Sequence, residues 1–406
     1  MIRSGLKDKN TMFEKELSQM NVNEPTRLAI FLPSLAGGGA ERAMVNLAHG
    51  FADRGCAVDV VLAQAKGPYL SEVREPVRIV DLNASRGLTS IPALARYLRR
   101  ERPVAMISAL DFANIIALWA RRLAGSRTRV LVNEQNTISR SARNSARRRQ
   151  RLVPYLVKLF YPWADYVVGN SQGVAKDLSQ TTGLPRERID MLYNPVVTPD
   201  LRGKVGQPLD HPWFNDGQPP VVLAVGRLTK QKDFPTLIRA FAQARRNRPA
   251  RLLILGEGPD RPALEALVKQ LGLDEDVAMP GFVENPYAYM SRASLYVLSS
   301  RWEGLPTVLI EALFCGPPIV AADCPSGPRE ILAGGRHGEL VPVGDEAALA
   351  RAIEAGLAGK ISPPGRESWQ PFSLEAVVDQ YLDLLVHNTG QRAADQKGNQ
   401  LRVPAQ

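Results

Sequence analysis

The hydrophobic pattern of this chain is an alternation that runs through the sequence twice. Short apolar runs rich in Val, Ile and Leu are each followed by a turn and then a helical stretch. RLAIFLP (Arg27–Pro33), AVDVVLA (Ala57–Ala63), VAMISAL (Val104–Leu110), RVLVNE (Arg129–Glu134) and DYVVGNS (Asp165–Ser171) read as strands. Helical patterns lie between them at Ala40–Arg54, Ala93–Arg100 and Asn114–Ala124. Strands joined by helical crossovers of this length argue for a parallel, doubly wound sheet. A stretch rich in Pro, Gly and Asp, Thr198–Pro220, then breaks the pattern. The alternation restarts with VVLAVG (Val221–Gly226), FPTLIRAFAQARR, RLLILG (Arg251–Gly256), RPALEALVKQLG, DVAMPG, LYVLSS, PTVLIEALFCG and PIVAAD. The fold class is therefore α/β with two doubly wound domains. A length of 406 residues at 45% apolar composition supports two cores, since a single core stops growing at about 250–300 residues.

The expected division is a flexible extension at 1–25, a first domain at 26–200, a linker at 201–220 and a second domain at 221–368. A final amphipathic helix within 369–387 precedes a polar tail at 388–406, expected to be disordered. The N-terminal stretch has no apolar core of the kind a signal peptide needs. No run approaches the ~18 apolar residues of a membrane span. Cys56, Cys315 and Cys324 form no paired framework and have no metal-ligand spacing. These features lead us to expect a cytoplasmic protein, soluble or peripheral on a membrane face, with reduced thiols and no metal.

The net charge of +10 is lopsided. Residues 1–200 carry 29 Lys and Arg against 18 Asp and Glu, leaving 22 against 23 in the remainder. The densest part is RSARNSARRRQR, Arg140–Arg151. A polyanionic partner such as a membrane surface or a phosphorylated acceptor would explain the excess, and so would a solvated helix face. Nucleic acid is disfavoured, because the run has no interleaved aromatics and belongs to no recognised motif.

Ligands of doubly wound sheets bind at the carboxyl ends of the strands, so the loops after strands carry the chemistry. The first such loop, SLAGGGAER, offers Gly37, Gly38 and Gly39 ahead of a helix start. Glycines there allow close backbone approach, and the helix start offers N–H groups to an anion. It is not a dinucleotide fingerprint: Arg42 stands where the last glycine belongs, and the second strand ends without an acid to hold a ribose. In the second half, GRLTKQKDF (Gly226–Phe234) places Arg227, Lys230 and Lys232 after a strand. Cations so placed suit a diphosphate, although a solvated basic loop would look the same.

The stretch SSRWEGLPTVLIE (Ser299–Glu311) follows another strand. Glu303 falls in its loop, and Glu311 falls inside the helix that Pro306 is suited to start. The two carboxylates can line one crevice without touching, and both can accept hydrogen bonds from hydroxyl groups such as a sugar and a ribose offer. Each also has a purely structural reading. Glu303 could serve as a charge at a helix start, and Glu311, buried among apolar neighbours, could pair with an arginine.

These segments together resemble the retaining GT-B glycosyltransferases of family 4, the group-1 type. The resemblance rests on the E-x7-E motif Glu303 to Glu311 and on GRLTKQKDF, LLILGEGPDRPALEAL, PGFVENPYAYM, DCPSGPREIL and GELVPVGD in that order. GGGAER, NSQ (Asn170–Gln172) and NPV (Asn194–Val196) also fit, and the likeness covers roughly Arg27 to Val386. It implies two Rossmann-like domains facing across a cleft, with the last helix crossing back to the first domain. It implies a nucleotide-sugar co-substrate, a UDP-sugar being favoured, and no other cofactor. The acceptor would be a glycan or a lipid-linked molecule of cell-envelope polysaccharide synthesis.

Residue by residue, the resemblance makes Arg227 and Lys232 the donor diphosphate clamp, Gly226 a donor-binding position beside them, and Glu303 the contact to the transferred sugar. Glu311 would meet the ribose, and the backbone at Gly304, Leu305, Pro306, Thr307, Val308 and Leu309 would cradle sugar and phosphate. Phe282 lies where such enzymes bind the base. Gly37, Gly38 and Gly39 would approach phosphate or acceptor from the other domain. Many relatives carry a histidine in the first half. Here the SALDF and VNEQN loops have none, and Glu134 or Asn136 stands as the acceptor contact. A GDP-sugar transferase of the same fold, or a nucleotide-sugar-binding protein without activity, remains an alternative.

Overall fold

The structure, a computed structural model, describes residues 25–36, 38–84, 89–144 and 148–387. Gly37, the extension at 1–24, the tail at 388–406 and residues 145–147 of the Arg140–Arg151 run lie outside the described residues.

Two all-parallel sheets organise the chain. The first contains β1 (Arg27–Leu32), β2 (Ala57–Leu62), β3 (Arg78–Asp81), β4 (Ala105–Ala109), β5 (Arg129–Glu134), β6 (Tyr166–Gly169) and β7 (Ile189–Met191). Their order is β3-β2-β1-β4-β5-β6-β7. The second contains β8 (Val221–Val225), β9 (Arg251–Leu255), β10 (Val277–Gly281), β11 (Leu295–Leu298), β12 (Ile319–Ala322) and β13 (Glu339–Val341), in the order β10-β9-β8-β11-β12-β13. Both orders reverse direction once, between β1 and β4 and between β8 and β11. Crossover helices diverge at such a reversal and leave a crevice at the strand ends.

The strands are apolar without alternation because helices cover both faces. In β1, Leu28, Ile30 and Leu32 enter one core while Ala29 and Phe31 enter the other. In β8, Val222 and Ala224 face one layer, and Val221 and Leu223 the opposite one. The helices of the first domain are α1 (Gly39–Asp53), α2 (Ser90–Glu101), α3 (Asp111–Ala124), α4 (Ile138–Asn144), α5 (Val153–Phe160) and α6 (Gln172–Thr182). After α7 (Pro199–Val205) come α8 (Phe234–Asn247), α9 (Arg261–Gln270), α10 (Pro286–Met290), α11 (Thr307–Cys315), α12 (Pro328–Ile331), α13 (Glu346–Leu357) and α14 (Leu374–Leu382). Among the described residues no helix is long and apolar enough to cross a membrane.

Two features depart from the sequence reading. Strands β3, β7 and β13 have no conspicuous apolar run, because they are edge strands of three or four residues. The 201–220 stretch is not a bare linker. It shares α7, which Thr198 caps, buries Leu201 and accepts a hydrogen bond from Asn285 Nδ2 at the Lys204 carbonyl (2.9 Å). The segment is thus packed onto the second domain.

The C-terminal α14 returns to the first domain and packs on α1. Its Leu374, Val377, Val378 and Tyr381 join the core beneath β1. The Tyr381 hydroxyl accepts from Asn133 Nδ2 at 2.6 Å, and Arg54 pairs with Asp379 at 2.6 Å. Close approach depends on Gly50, where a Cβ would lie 2.3 Å from Val378 Cγ2 and 3.0 Å from Leu374 Cδ1. Gly50→Ala is expected to lower stability by about 1–3 kcal/mol, the usual cost of overpacking a filled core. Denaturant unfolding followed by circular dichroism measures it, and an unchanged midpoint would mean that α14 rides free of α1.

Candidate active site

The crevices of the two sheets face one another. Gly38, in extended conformation, caps the fifteen-residue α1 after β1, and Pro306 caps the nine-residue α11 after β11. The helix therefore begins at Thr307, one residue later than Pro306 would suggest. A Cβ on Gly39 would lie 3.5 Å from Thr307 Oγ1, so two helix N-termini meet across the cleft. Unpaired N–H groups and the positive ends of both helix dipoles make this a place for negative charge. Gly38, Gly39, Gln135 and Asn136 line the cleft from the first domain, and Arg227, Glu303, Gly304, Leu305 and Thr307 line it from the second. An adjoining cavity is bounded by Arg42, Tyr69, Tyr287, Thr307, Val308 and Glu311.

Lys232 and Glu303 come together although 71 residues separate them. Lys232 Nζ lies 2.7 Å from Glu303 Oε1, and both side chains are nearly buried. Ser300 Oγ donates to the same oxygen at 2.6 Å, and Gln231 Nε2 donates to Oε2 at 3.3 Å. Two further links fasten the loops that carry them. Ser299 Oγ donates to the Lys232 carbonyl at 2.7 Å, and the Arg301 guanidinium pairs with buried Asp233 at 3.0 Å. Asp233 has a positive φ of 49°, a left-handed conformation that aspartate tolerates better than most residues. The loop after β8 and the loop after β11 are thus one rigid unit.

Glu311 sits on α11, 9% exposed. Among the described residues no arginine pairs with it directly. Tyr287 donates to Glu311 Oε1 at 3.4 Å and accepts from Arg42 Nη1 of the other domain at 3.1 Å. Burial raises the Glu311 carboxyl above its ordinary range, with Arg42, Tyr287 and Lys232 opposing that rise. The structural alternative for this glutamate, a direct pair with an arginine, misses the interposed tyrosine, which had no local signal in the sequence.

The remaining candidates separate. Arg227 is exposed on the cleft wall, and its guanidinium has no partner among the described residues. Lys230 is exposed and lines neither cavity. Gly226 leaves room for the Lys232 stem, since a Cβ there would lie 3.0 Å from Cε. Leu309 is fully buried in the second core, so only its backbone is available to a ligand. Phe282 follows β10 with 80% of its surface exposed and lines neither cavity.

Glu134 requires a correction. It is not on the cleft wall; its carboxylate is buried and accepts from the Tyr161 hydroxyl at 2.7 Å. The turn after β5 instead presents Gln135 and exposed Asn136, beside Asn170 and Asn194. Gln135 Oε1 accepts from both Asn170 Nδ2 (3.1 Å) and Asn194 Nδ2 (2.7 Å), a network that sequence reasoning missed. Burial, reinforced by the charge of Asp111, pushes the Glu134 carboxyl up to about 8.

Close contact between the domains depends on small residues. A Cβ on Gly304 would lie 2.6 Å from the Gln135 carbonyl oxygen, and one on Gly173 would lie 2.3 Å from Ser326 Cβ. The Gly304 carbonyl accepts from Ser171 Oγ at 3.3 Å and Ser326 Oγ at 3.0 Å. Glu330 accepts from the Gln172 N–H at the start of α6 (2.9 Å) and from the Tyr193 hydroxyl (2.8 Å).

Two doubly wound domains with their strand ends turned onto one cleft define the GT-B class of glycosyltransferases. A family model described as Glycosyl transferases group 1 matches residues 209–369, and one described as Glycosyltransferase Family 4 matches residues 37–199. The chain is 33% identical over 346 residues to a Campylobacter jejuni protein named N-acetylgalactosamine-N,N'-diacetylbacillosaminyl-diphospho-undecaprenol 4-alpha-N-acetylgalactosaminyltransferase, covering 82% of this chain and 90% of that one. It is 29% identical over 364 residues to the lipopolysaccharide core biosynthesis glycosyltransferase LpsE of Rhizobium meliloti, covering 86% and 96%. The structure of Anabaena HepE in complex with UDP-glucose superposes with a TM-score of 0.64 at 20% identity, covering 92% of this chain and 99% of that one. The chain belongs to the group-1, family-4 glycosyltransferases and is an enzyme of sugar transfer.

Two predictions follow from the site. The folded protein holds the Glu134 proton up to about pH 8, whereas an ordinary glutamate releases it near 4.5. Stability from this group is therefore complete below pH 4.5 and is lost as pH rises towards 8. Glu134→Gln is expected to flatten that decline, which thermal unfolding at pH 5 and pH 8 would show; equal slopes in both proteins would refute the shift. Gly304→Ala is expected to hold the domains apart. Turnover should fall by about 100-fold, as misplacement by an ångström can cost, with nucleotide affinity in calorimetry nearly unchanged.

Proposed function

We propose that the enzyme transfers a hexose or N-acetylhexosamine from a nucleotide-diphosphate sugar, a UDP-sugar, to a glycan or lipid-linked acceptor with retention of anomeric configuration. The observation that carries this reading is the arrangement around Lys232 and Glu303. A cation and a carboxylate are locked together beside the start of α11, with unpartnered Arg227 on the same wall and the start of α1 opposite.

The chemistry follows from charge. As the bond from the anomeric carbon to the phosphate oxygen breaks, negative charge grows on the departing diphosphate. Arg227, Lys232 and the N–H groups opening α11 are positioned to stabilise it without a metal ion. Preorganised donors of this kind lower a barrier because they need no reorientation during the reaction. Glu303 already accepts from Lys232 and Ser300. It is placed to orient sugar hydroxyls rather than to remove a proton. The acceptor oxygen then bonds to the anomeric carbon on the face the phosphate leaves, and its proton passes to the departing phosphate oxygen. Glu311 with Tyr287 is placed to receive the ribose hydroxyls in the adjoining cavity.

The UDP assignment draws support from the UDP-glucose complex named above. The names of the two relatives, one citing a diphospho-undecaprenol-linked substrate and the other lipopolysaccharide core biosynthesis, support a cell-envelope acceptor. Such an acceptor would place the enzyme on the cytoplasmic membrane face.

A panel of UDP- and GDP-sugars, read by nucleotide release with and without chelator, tests the donor and the metal independence. NMR of the product tests retention; an inverted anomer would overturn that part. Lys232→Ala is expected to reduce turnover by about 100- to 1000-fold, some 3–4 kcal/mol of transition-state stabilisation, with unchanged circular dichroism. Turnover near that of the unsubstituted enzyme would remove Lys232 from the clamp.

A further inference from the structure

One flank of the first domain is apolar where it should be polar. Among the described residues, five of the nine large apolar side chains that stand exposed lie on or beside α3 and α5: Trp119, Leu123, Leu152, Tyr155 and Leu159. Leu152, Tyr155 and Leu159 are spaced i, i+3, i+7 and so form one stripe along α5. Val153 and Val157, on the opposite side of the same helix, fill the core. Leaving Tyr155 73% and Leu159 60% exposed needs a reason, because such side chains gain nothing from water.

The surroundings of the stripe say what would cover it. Trp119, Phe160 and Trp163 stack edge-on with ring centroids 5.0–5.5 Å apart. The Arg122 guanidinium lies 4.6 Å over the Trp163 ring. Residues 135–164 contain seven Lys and Arg and no Asp or Glu. Arg143, Arg151 and Lys158 are exposed. Acids beside the segment are already engaged, Asp165 with Arg121 at 2.5 Å, Asp111 with Gln150 at 2.7 Å, Asp177 with Ser139 and Glu134 with Tyr161.

We infer that this flank is a docking surface for an anionic lipid bilayer. Leu152, Tyr155, Leu159 and the Trp119 cluster enter the interfacial layer, and the flanking cations meet the phosphates. Aromatic rings and aliphatic side chains bordered by Lys and Arg are the composition that partitions into a membrane interface. A second copy of the chain is a poor occupant, since it would set one net-cationic face against another. The segment also begins at the cleft: Asn136 lines it, and α4 and α5 follow directly. An acceptor anchored in the bilayer would therefore be presented beside the donor site. The surface rests on exposure and charge, not on the sugar-transfer reading.

The test uses the full chain and vesicles of phosphatidylcholine with and without about one-third phosphatidylglycerol, at low and high salt. The unsubstituted protein is expected to co-sediment with the anionic vesicles, more weakly at high salt. Tyr155→Glu and Leu159→Glu, made separately, should each reduce the bound fraction about tenfold. Their thermal midpoints should not change, because both positions face solvent. No binding by the unsubstituted protein, or binding by both variants at its level, would overturn the inference. So would a dimer in sedimentation velocity that Leu159→Glu dissociates in the absence of vesicle binding. UDP affinity, measured alongside, reports on the donor site alone, so failure there counts against the transferase reading and leaves the surface standing.

Discussion

Every strand in the two sheets runs parallel to its neighbours, and the rest of the structure depends on that constraint. Parallel pairing forces each connection to travel back through a helix, so all strand-to-helix loops of a sheet emerge at one edge. A single reversal of winding in each sheet then opens a crevice at that edge. When two such edges face each other, the starts of α1 and α11 point into the same space, with Gly39 against Thr307. The site's affinity for negative charge is a consequence of topology before any side chain is considered.

Side chains then fix what topology leaves loose. Burying Lys232 with Glu303, and Asp233 against the exposed Arg301 guanidinium, costs desolvation that the attraction only partly offsets. Such pairs add little stability, and their value here is positional. Together with the Ser299 and Ser300 hydroxyls they hold two loops in one arrangement, so the carboxylate and the cation do not drift when the cleft is empty. Across the cleft the contact is made by absence of side chains. Gly304 admits the Gln135 carbonyl and Gly173 admits Ser326, while α14 ties the end of the second domain back onto α1.

Much of this was legible in the sequence, and the limits have physical causes. The central strands announced themselves because burial on both faces demands unbroken apolar runs. The edge strands β3, β7 and β13 did not, because one side is open and three or four residues carry little pattern. Glu303 and Lys232 stood out as polar groups in strand-end loops. Glu134 was misplaced because a carboxylate at a strand end looks the same whether it turns to the cleft or inward, and here Tyr161 draws it inward. The stretch before β8 read as a linker from its Pro, Gly and Asp content, although Leu201 and the Lys204 carbonyl pack it down. Arg42 and Tyr287 were invisible as a pair, since 245 residues separate them.

The sequence by itself determined two doubly wound domains, the loops in which the chemistry would lie, the concentration of positive charge in the first half, and the family to which the chain is similar. The first three follow from periodicity, composition and spacing, which are local quantities, and the last from the resemblance of its motifs to those of a known family. The tertiary structure alone decided which charges meet. It paired Lys232 with Glu303, put Tyr287 between Glu311 and Arg42, turned Glu134 away from the cleft, and gathered Trp119 and Tyr155 onto one exposed flank. Partners in space are set by how the domains face and how helices rotate on their sheets. No short window of sequence carries that information.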